Sequence, residues 1–275
     1  MRKRSVLLCV AGLLLTGCGP RNSGAAAVPS VMQAVGTCHT FRTQQEMIQP
    51  SDIAPPVPCD RPHRSETFQV TTVDGQFATY KKRPDPEQIA AYAQGRCYDA
   101  DAIRRYLGAG PRDTVSFSVW PRLPTRAEWE KGVRTLRCDL VPPVQKAENG
   151  PLTAFSFRDV LTKPESPTVR SCELGGAFVT CDHPHDREEV ATWQDLPATV
   201  PPEDAQKVAT ELCEPVVQEF LQARPASRPD LTIKAITPSK DEWEKGVRAV
   251  KCGVGPAAAG ATVVGTLSGS AKGQV

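Results

Sequence analysis

Apolar positions fall at Ala205, Val208, Ala209, Leu212, Cys213, Val216, Val217 and Phe220, returning every three and four residues as on one face of a helix. Pro215 interrupts the hydrogen-bonding run and is expected to kink that helix. A weaker stripe, Ile89, Ala93, Cys97, Ala100 and Leu107, broken by Gly95, predicts a counterpart earlier in the chain. Alternation then replaces the helical period. Val115, Phe117 and Val119, and later Leu231 and Ile233, predict strands. After each comes an S/T-x-x-E pattern, Thr125 to Glu128 and Ser239 to Glu242, in which hydroxyl and carboxylate satisfy the free amides at a helix start. Gly132 and Gly246 stand where such short helices would stop, since glycine takes positive φ without strain. A further strand follows each, with Leu136, Cys138 and Leu140, or Val250, Cys252 and Val254, on one face.

The pattern occurs twice because the sequence does. Glu128-Trp129-Glu130-Lys131-Gly132-Val133-Arg134 returns unchanged as residues 242–248, and Cys59-Asp60-Arg61-Pro62-His63-Arg64-Ser65-Glu66 returns as Cys181-Asp182-His183-Pro184-His185-Asp186-Arg187-Glu188. Cys38, Cys59, Cys97 and Cys138 are answered in order by Cys172, Cys181, Cys213 and Cys252. A duplication with kept landmarks predicts two tandem homologous α+β domains, 31–160 and 170–275, each with one long helix against an antiparallel sheet. The polar, proline-containing stretch 161–169 is expected to link them.

The first residues have another purpose. Arg2-Lys3-Arg4 precedes the apolar run Val6 to Leu15 and then Thr16-Gly17-Cys18. Ten apolar residues rise only about 15 Å as a helix, half of a hydrocarbon core, so 1–17 reads as a signal peptide. Leu15-Thr16-Gly17-Cys18 resembles the lipobox of bacterial lipoproteins. That resemblance implies a diacylglyceryl group on the Cys18 thiol, with palmitate-type acyl chains holding the protein on the outer face of the cell membrane. Residues 18–30 offer little to bury and read as a flexible tether.

Charge excludes some partners. The chain has 33 Lys and Arg against 31 Asp and Glu; removing Arg2, Lys3 and Arg4 with the signal leaves 30 against 31. Without a cationic surplus, nucleic acid is not an expected partner.

Removing Cys9 and committing Cys18 to lipid leaves eight of the 10 cysteines, four per unit, an even count that favours disulfides after export. Four cysteines allow three pairings. The favoured one joins Cys97 to Cys138 and Cys213 to Cys252, a core-face cysteine on the helix meeting one on a strand at separations of 41 and 39. Cys38 would then pair with Cys59 and Cys172 with Cys181. A loop of about 40 residues gives about 4 kcal/mol in the chain-entropy account. Metal thiolates and redox cysteines are the alternatives, but no C-x-x-C occurs.

Val35-Gly36-Thr37-Cys38, then Cys-Asp-x-Pro-His-x-x-Glu, a helix with a cysteine, and Pro-x-x-x-x-Trp-x-x-Gly-x-Arg before a last cysteine is similar to the septum formation domain family, found mainly in exported, membrane-attached actinobacterial proteins. The ending Gly265-Thr266-Leu267-Ser268-Gly269-Ser270 looks like the family's closing strand. The second unit departs at Arg170-Ser171-Cys172 and lacks the long segment between its first two cysteines. The resemblance implies a cell-envelope protein linked to division septa; no catalytic residue comes with it.

Two motifs could carry chemistry. Asp60, His63 and Glu66, and likewise Asp182, His185 and Glu188, could bind a metal or do acid–base work; the structural reading has them satisfying turn and backbone groups. Trp129 and Trp243 could stack on wall sugars, or be buried. No G-x-S-x-G, Walker loop, H-E-x-x-H or Rossmann fingerprint appears. The expectation is therefore a non-enzymatic, cofactor-free interaction module whose partner is an envelope protein or wall component, with a metal-dependent protein built on the Asp-x-Pro-His-x-x-Glu turns as the alternative.

Overall fold

The structure is a computed structural model and describes residues 34–41, 43–114, 116–142 and 152–270. The signal peptide, Cys18 and the tether lie outside the described residues. In chain order the first unit contains β1 (Cys38–His39), α1 (Gln44–Met47), β2 (Ser65–Thr72), α2 (Gly75–Ala78), α3 (Pro86–Cys97), α4 (Ala100–Leu107), β3 (Ser118–Arg122), α5 (Arg126–Glu130) and β4 (Thr135–Val141). The second contains β5 (Ser171–Leu174), β6 (Ala177–Thr180), β7 (Arg187–Asp195), α6 (Ala205–Leu221), β8 (Leu231–Ile233), α7 (Lys240–Glu244) and β9 (Ala249–Pro256).

Both sheets are antiparallel and share one plan. The orders are β1-β2-β4-β3 and β6-β5-β7-β9-β8. An isolated bridge from Val57 to Cys38 occupies in the first unit the position of β6, which pairs Val179 with Cys172 in the second. Register agrees too, with Cys38 opposite Glu66 and Cys172 opposite Glu188. Each central strand is irregular just beyond its glutamate, between Thr67 and Gln69 and between Glu189 and Trp193, where one extra residue in β2 and two in β7 bend the strand.

One face of each sheet receives the helices. Leu136, Cys138 and Leu140, and Val250, Cys252 and Val254, are buried in two separate cores. α6 sets Ala205, Ala209, Cys213, Val216, Val217, Phe220 and Leu221 into the second core, where a fully buried Val, Leu or Phe contributes about 1.5–3 kcal/mol. Pro215 is exposed on its outer side, and the helix runs on through it. Disulfides Cys97–Cys138 and Cys213–Cys252 rivet helix to sheet, while Cys38–Cys59 and Cys172–Cys181 close the turns before β2 and β7.

The single long helix expected in the first unit is two. α3 buries Ile89, Ala93 and Cys97 and stops; Asp99 takes an extended conformation and its carboxylate accepts from the Ala102 amide at 2.9 Å, starting α4. A local cap outcompetes the continuing period, and Ala100, placed on the stripe by the sequence, is exposed. The strand expected at residues 115–119 is found as β3, three residues on, with Phe117 and Val119 buried; Val115 lies outside the described residues. Residues 161–169 are packed: Leu161, Ser166 and Val169 are buried within two 3₁₀ turns.

The units meet around Asp113. Its carboxylate accepts from the Arg170 guanidinium at 2.6 Å and the Ser268 hydroxyl at 3.0 Å, and its backbone bridges to Val190 in the irregular part of β7.

Candidate functional site

The Asp-x-Pro-His-x-x-Glu turns fold alike and split their residues in the same way. Asp60 and Asp182 are exposed, while His63, Glu66, His185 and Glu188 are buried. The aspartates therefore stand apart from the inward-pointing pair.

Each histidine docks a later strand-like segment through its backbone and its own turn through its ring. His63 exchanges amide and carbonyl bonds with Thr153, and His185 does so with Val263. The rings reach back to the carbonyls of Arg61 (2.8 Å) and His183 (2.9 Å) through Nδ1. A carbonyl only accepts, so Nδ1 carries the proton and Nε2 is the lone pair in the neutral ring. In the first unit the Thr153 hydroxyl stands 3.3 Å from that lone pair. In the second, Val263 offers no hydroxyl, and His185 Nε2 is buried without a hydrogen-bond partner.

Each glutamate fastens the same segment three and four residues further on. Glu66 accepts from the Ser156 hydroxyl at 2.8 Å, the Phe157 amide and the Tyr106 phenol. Glu188 accepts from the Thr266 hydroxyl at 2.6 Å and the Leu267 amide. The hydroxyls in turn accept the Arg158 and Ser268 amides. Phe157 and Leu267, each fully buried, are thereby locked into their cores.

Burial governs the proton affinities. It lowers both His63 and His185 below the ordinary imidazole value. It pushes Glu188 up to about 7 against the charge of Arg170 and the bonds from Leu267 and Thr266. Burial, helped by the Glu66 bond and charge, lifts the Tyr106 phenol. Neutral, enclosed imidazoles that hold backbone are suited to positioning a closing segment; solvent does not reach them to exchange protons with a substrate.

Metal ligation meets a chemical obstacle. Ligand atoms of Cys172, Cys181, His185 and Glu188 lie within 4.8 Å of one another, as do those of Cys38, Cys59 and Glu66. The sulfurs are joined as disulfides, and a disulfide supplies no thiolate.

The identical seven-residue repeat has a mechanical explanation. Both capping boxes form, Thr125 with Glu128 and Ser239 with Glu242, and Gly132 and Gly246 take φ near +90° and +86°. Arg134 and Arg248 then fold back, each guanidinium 4.0 Å from the centre of the Trp129 or Trp243 ring and bonded to that tryptophan's carbonyl. Trp129 is fully buried, its indole donating to the Tyr80 carbonyl at 2.8 Å; Trp243 is half-buried against the second core.

The other face of the first sheet holds a cluster that sequence reasoning missed. His39, Asp52, Thr67, Arg122, Arg137 and Asp139 are all buried there. Arg137 donates to Asp52 at 2.7 Å and Asp139 at 2.8 Å, Thr67 donates to Asp139 at 2.8 Å, and His39 Nδ1 lies 3.3 Å from Asp52. Burial favours protonating Asp52, but bonds from His39 and Arg137 and the Arg137 charge together hold its carboxyl well below the usual range. The available signal was the spacing of the first two cysteines, 21 residues against 9 in the second unit. The additional chain, running through Asp52, covers these charges.

The family model described as septum formation matches residues 35–207 and again 176–275. No curated protein and no solved structure matches the chain. The two family matches overlap over 176–207 and together run across both units.

Proposed function

Because this chain belongs to the septum formation family, we propose that it is a cell-envelope lipoprotein, anchored through Cys18, whose two units lie on the extracytoplasmic face. They act there as non-enzymatic binding modules for an envelope protein or wall component during septum formation. The observation that carries this reading is the use of His63, Glu66, His185 and Glu188. All four are enclosed and engaged with the segments that close each unit, so the motif richest in chemical groups has a structural task. Among the described residues no helix is long and apolar enough to cross a membrane, in keeping with attachment by lipid.

The test is the double variant His63→Gln, His185→Gln. On this reading it loses stability or partner association, read by thermal unfolding and by in-cell crosslinking with mass spectrometry, and has no chemical step to lose. A wild-type protein that turns over a wall-derived substrate, beside a folded double variant that does not, would overturn the reading. Tight stoichiometric metal in the wild type, lost in the double variant, would favour the metal-binding alternative.

A further inference from the structure

The first unit shows what covers its sheet; the second unit leaves large apolar side chains of the equivalent surface exposed. In the first, the face opposite α3 carries Arg122, Arg137 and Asp139, each at most 1% exposed, because Phe41 and residues 49–57 lie across it. Asp52 pairs with Arg137, the Phe41 ring lies 4.9 Å under the Arg122 guanidinium, and the Gln49 and Pro50 carbonyls accept from Arg122 and the Leu123 amide. The part that lies over Arg122 and Arg137 is a proline-bearing, non-helical peptide, Gln49-Pro50-Ser51-Asp52-Ile53-Ala54-Pro55-Pro56-Val57, whose one carboxylate is directed at Arg137, with His39 beside it.

The linked cysteines Cys138 and Cys252 align the two sheets. Lys251, one residue before Cys252, takes the place of Arg137, and Gly253 takes that of Asp139. No segment of comparable length lies between Cys172 and Cys181. The result is visible as exposure. Trp193, opposite Lys251 in the sheet, is 65% exposed, and Ile236, on the other side of Lys251, is 41% exposed. Two steps along the same face, past Gly253, lies the cross-strand row Phe178, Glu173, Arg187, with Phe178 40% exposed. Arg187 lies over Gly253, where a Cβ would collide with its guanidinium, and its charge is balanced by Glu173 at 2.9 Å. A cleft of about 670 Å³ opens beside Arg187, walled by Lys234 and Ile236.

We propose that this face of the second unit docks a non-helical, proline-containing acidic segment of a partner protein, laid as residues 49–57 lie on the first unit. A carboxylate of the partner would meet Lys251, and flanking apolar residues would cover Trp193 and Ile236. The charge match and the covering in the same chain both favour this occupant over a neutral glycan, which would use the indole but not the cation, and over a second copy of the same face, which would oppose Lys251 to itself. The proposal rests on the binding-module reading and gives that reading a surface and a partner chemistry.

The probe is a synthetic peptide of this chain's residues 48–57, labelled at its N-terminus, titrated against the full-length protein in detergent. Saturable binding is expected, with a change in Trp193 emission that Trp193→Phe removes. Lys251→Glu, and separately Asp→Asn at the peptide position corresponding to Asp52, should each weaken binding by about tenfold or more, the scale of a central interface contact. Both protein variants alter exposed or half-buried side chains, and their unfolding curves should overlay the wild type. Absence of saturable binding, or binding indifferent to both Lys251→Glu and Trp193→Ala, overturns the proposal. So does preferential binding of a wall glycan, or a dimer that Trp193→Ala dissolves. If envelope crosslinks persist in Lys251→Glu cells while the peptide fails to bind, the surface is wrong and the binding-module reading stands; substrate turnover would remove that reading itself.

Discussion

The buried lone pair on His185 can be given a partner by copying the first unit into the second. Val263 and Thr153 occupy equivalent places, each exchanging two backbone bonds with its histidine. Thr153 adds a hydroxyl that stands 3.3 Å from His63 Nε2 and shares its proton with the His63 carbonyl, also 3.3 Å away, whereas His185 Nε2 has no partner. Val263→Thr changes a methyl to a hydroxyl with almost no change of shape. An unsatisfied buried acceptor costs about 1–3 kcal/mol, and the corresponding bond in the first unit is long, so the gain belongs at the lower end, about 1 kcal/mol. Burial of the new hydroxyl subtracts little, since it too becomes bonded. For a protein of this size that is a rise of about 2–4 °C in Tm. Thermal and urea unfolding with the disulfides intact would measure it, and a cycle with His185→Gln would locate it. The reverse change, Thr153→Val, should cost a similar amount in the first unit. The reasoning is refuted if Val263→Thr is neutral or destabilising, or if its gain survives unchanged in the His185→Gln background.

Further expectations concern pH and address. Glu188 holds its proton in the fold up to about 7, above its ordinary 4.5; between those values the unfolded chain has lost the proton and the native state keeps it, so stability falls as pH rises through that window. Glu188→Gln should flatten that decline in unfolding free energy, and a decline of unchanged slope would count against it. His185 acts in the opposite sense: its folded value lies below 6.5, so the unfolded chain takes up the proton first and stability drops as pH falls below 6.5. Cys18→Ser should abolish labelling by a fatty-acid probe and free the protein from the membrane; labelling that persists in that variant would defeat the lipoprotein reading.

Local signals proved legible in the sequence. The α6 stripe, both S/T-x-x-E caps and the glycines that end those turns depend on neighbours within a few residues, and the chain forms each where the pattern places it. The Cys97–Cys138 and Cys213–Cys252 links follow from two local periods, because a cysteine on each apolar face has to meet its partner once the faces pack. Competition between local signals was harder to judge. The stripe from Ile89 to Leu107 predicted one helix, but the Asp99 carboxylate gives the backbone a new start at Ala100. Long-range polar contacts left almost no trace. Arg137 and Asp139 alternate with Leu136, Cys138 and Leu140 as a solvent-facing row would, and nothing near them in sequence announces that Asp52 and Phe41 lie on top. A structural role for His63 and Glu66 was legible in the motif, but their partners were hidden, since Thr153, Ser156 and Phe157 are about 90 residues away.

Duplication turns these contacts into a comparison between the two units. Features held in both copies account for how a small unit stays closed: the helix-to-sheet disulfide and the His and Glu clasps are buried, and the capped turn lays its tryptophan against the core. None needs a ligand to explain it. Differences between the copies fall on the opposite face of the sheet. Replacing Asp139 by Gly253 removes an anion that would have needed Arg137 and its cover, and Arg187 settles into the vacated space. Shortening the segment between the first two cysteines removes the cover itself. If exposure there were incidental, the uncovered positions would tolerate polar side chains at no cost, yet the chain has Trp193 and Ile236 on either side of Lys251, and Phe178 further along the same face, beyond the Arg187–Glu173 ion pair. Large apolar groups gathered around cations on an open sheet gain nothing from water and gain most from a segment laid across them, which makes this face of the second unit the place to begin the search for a partner.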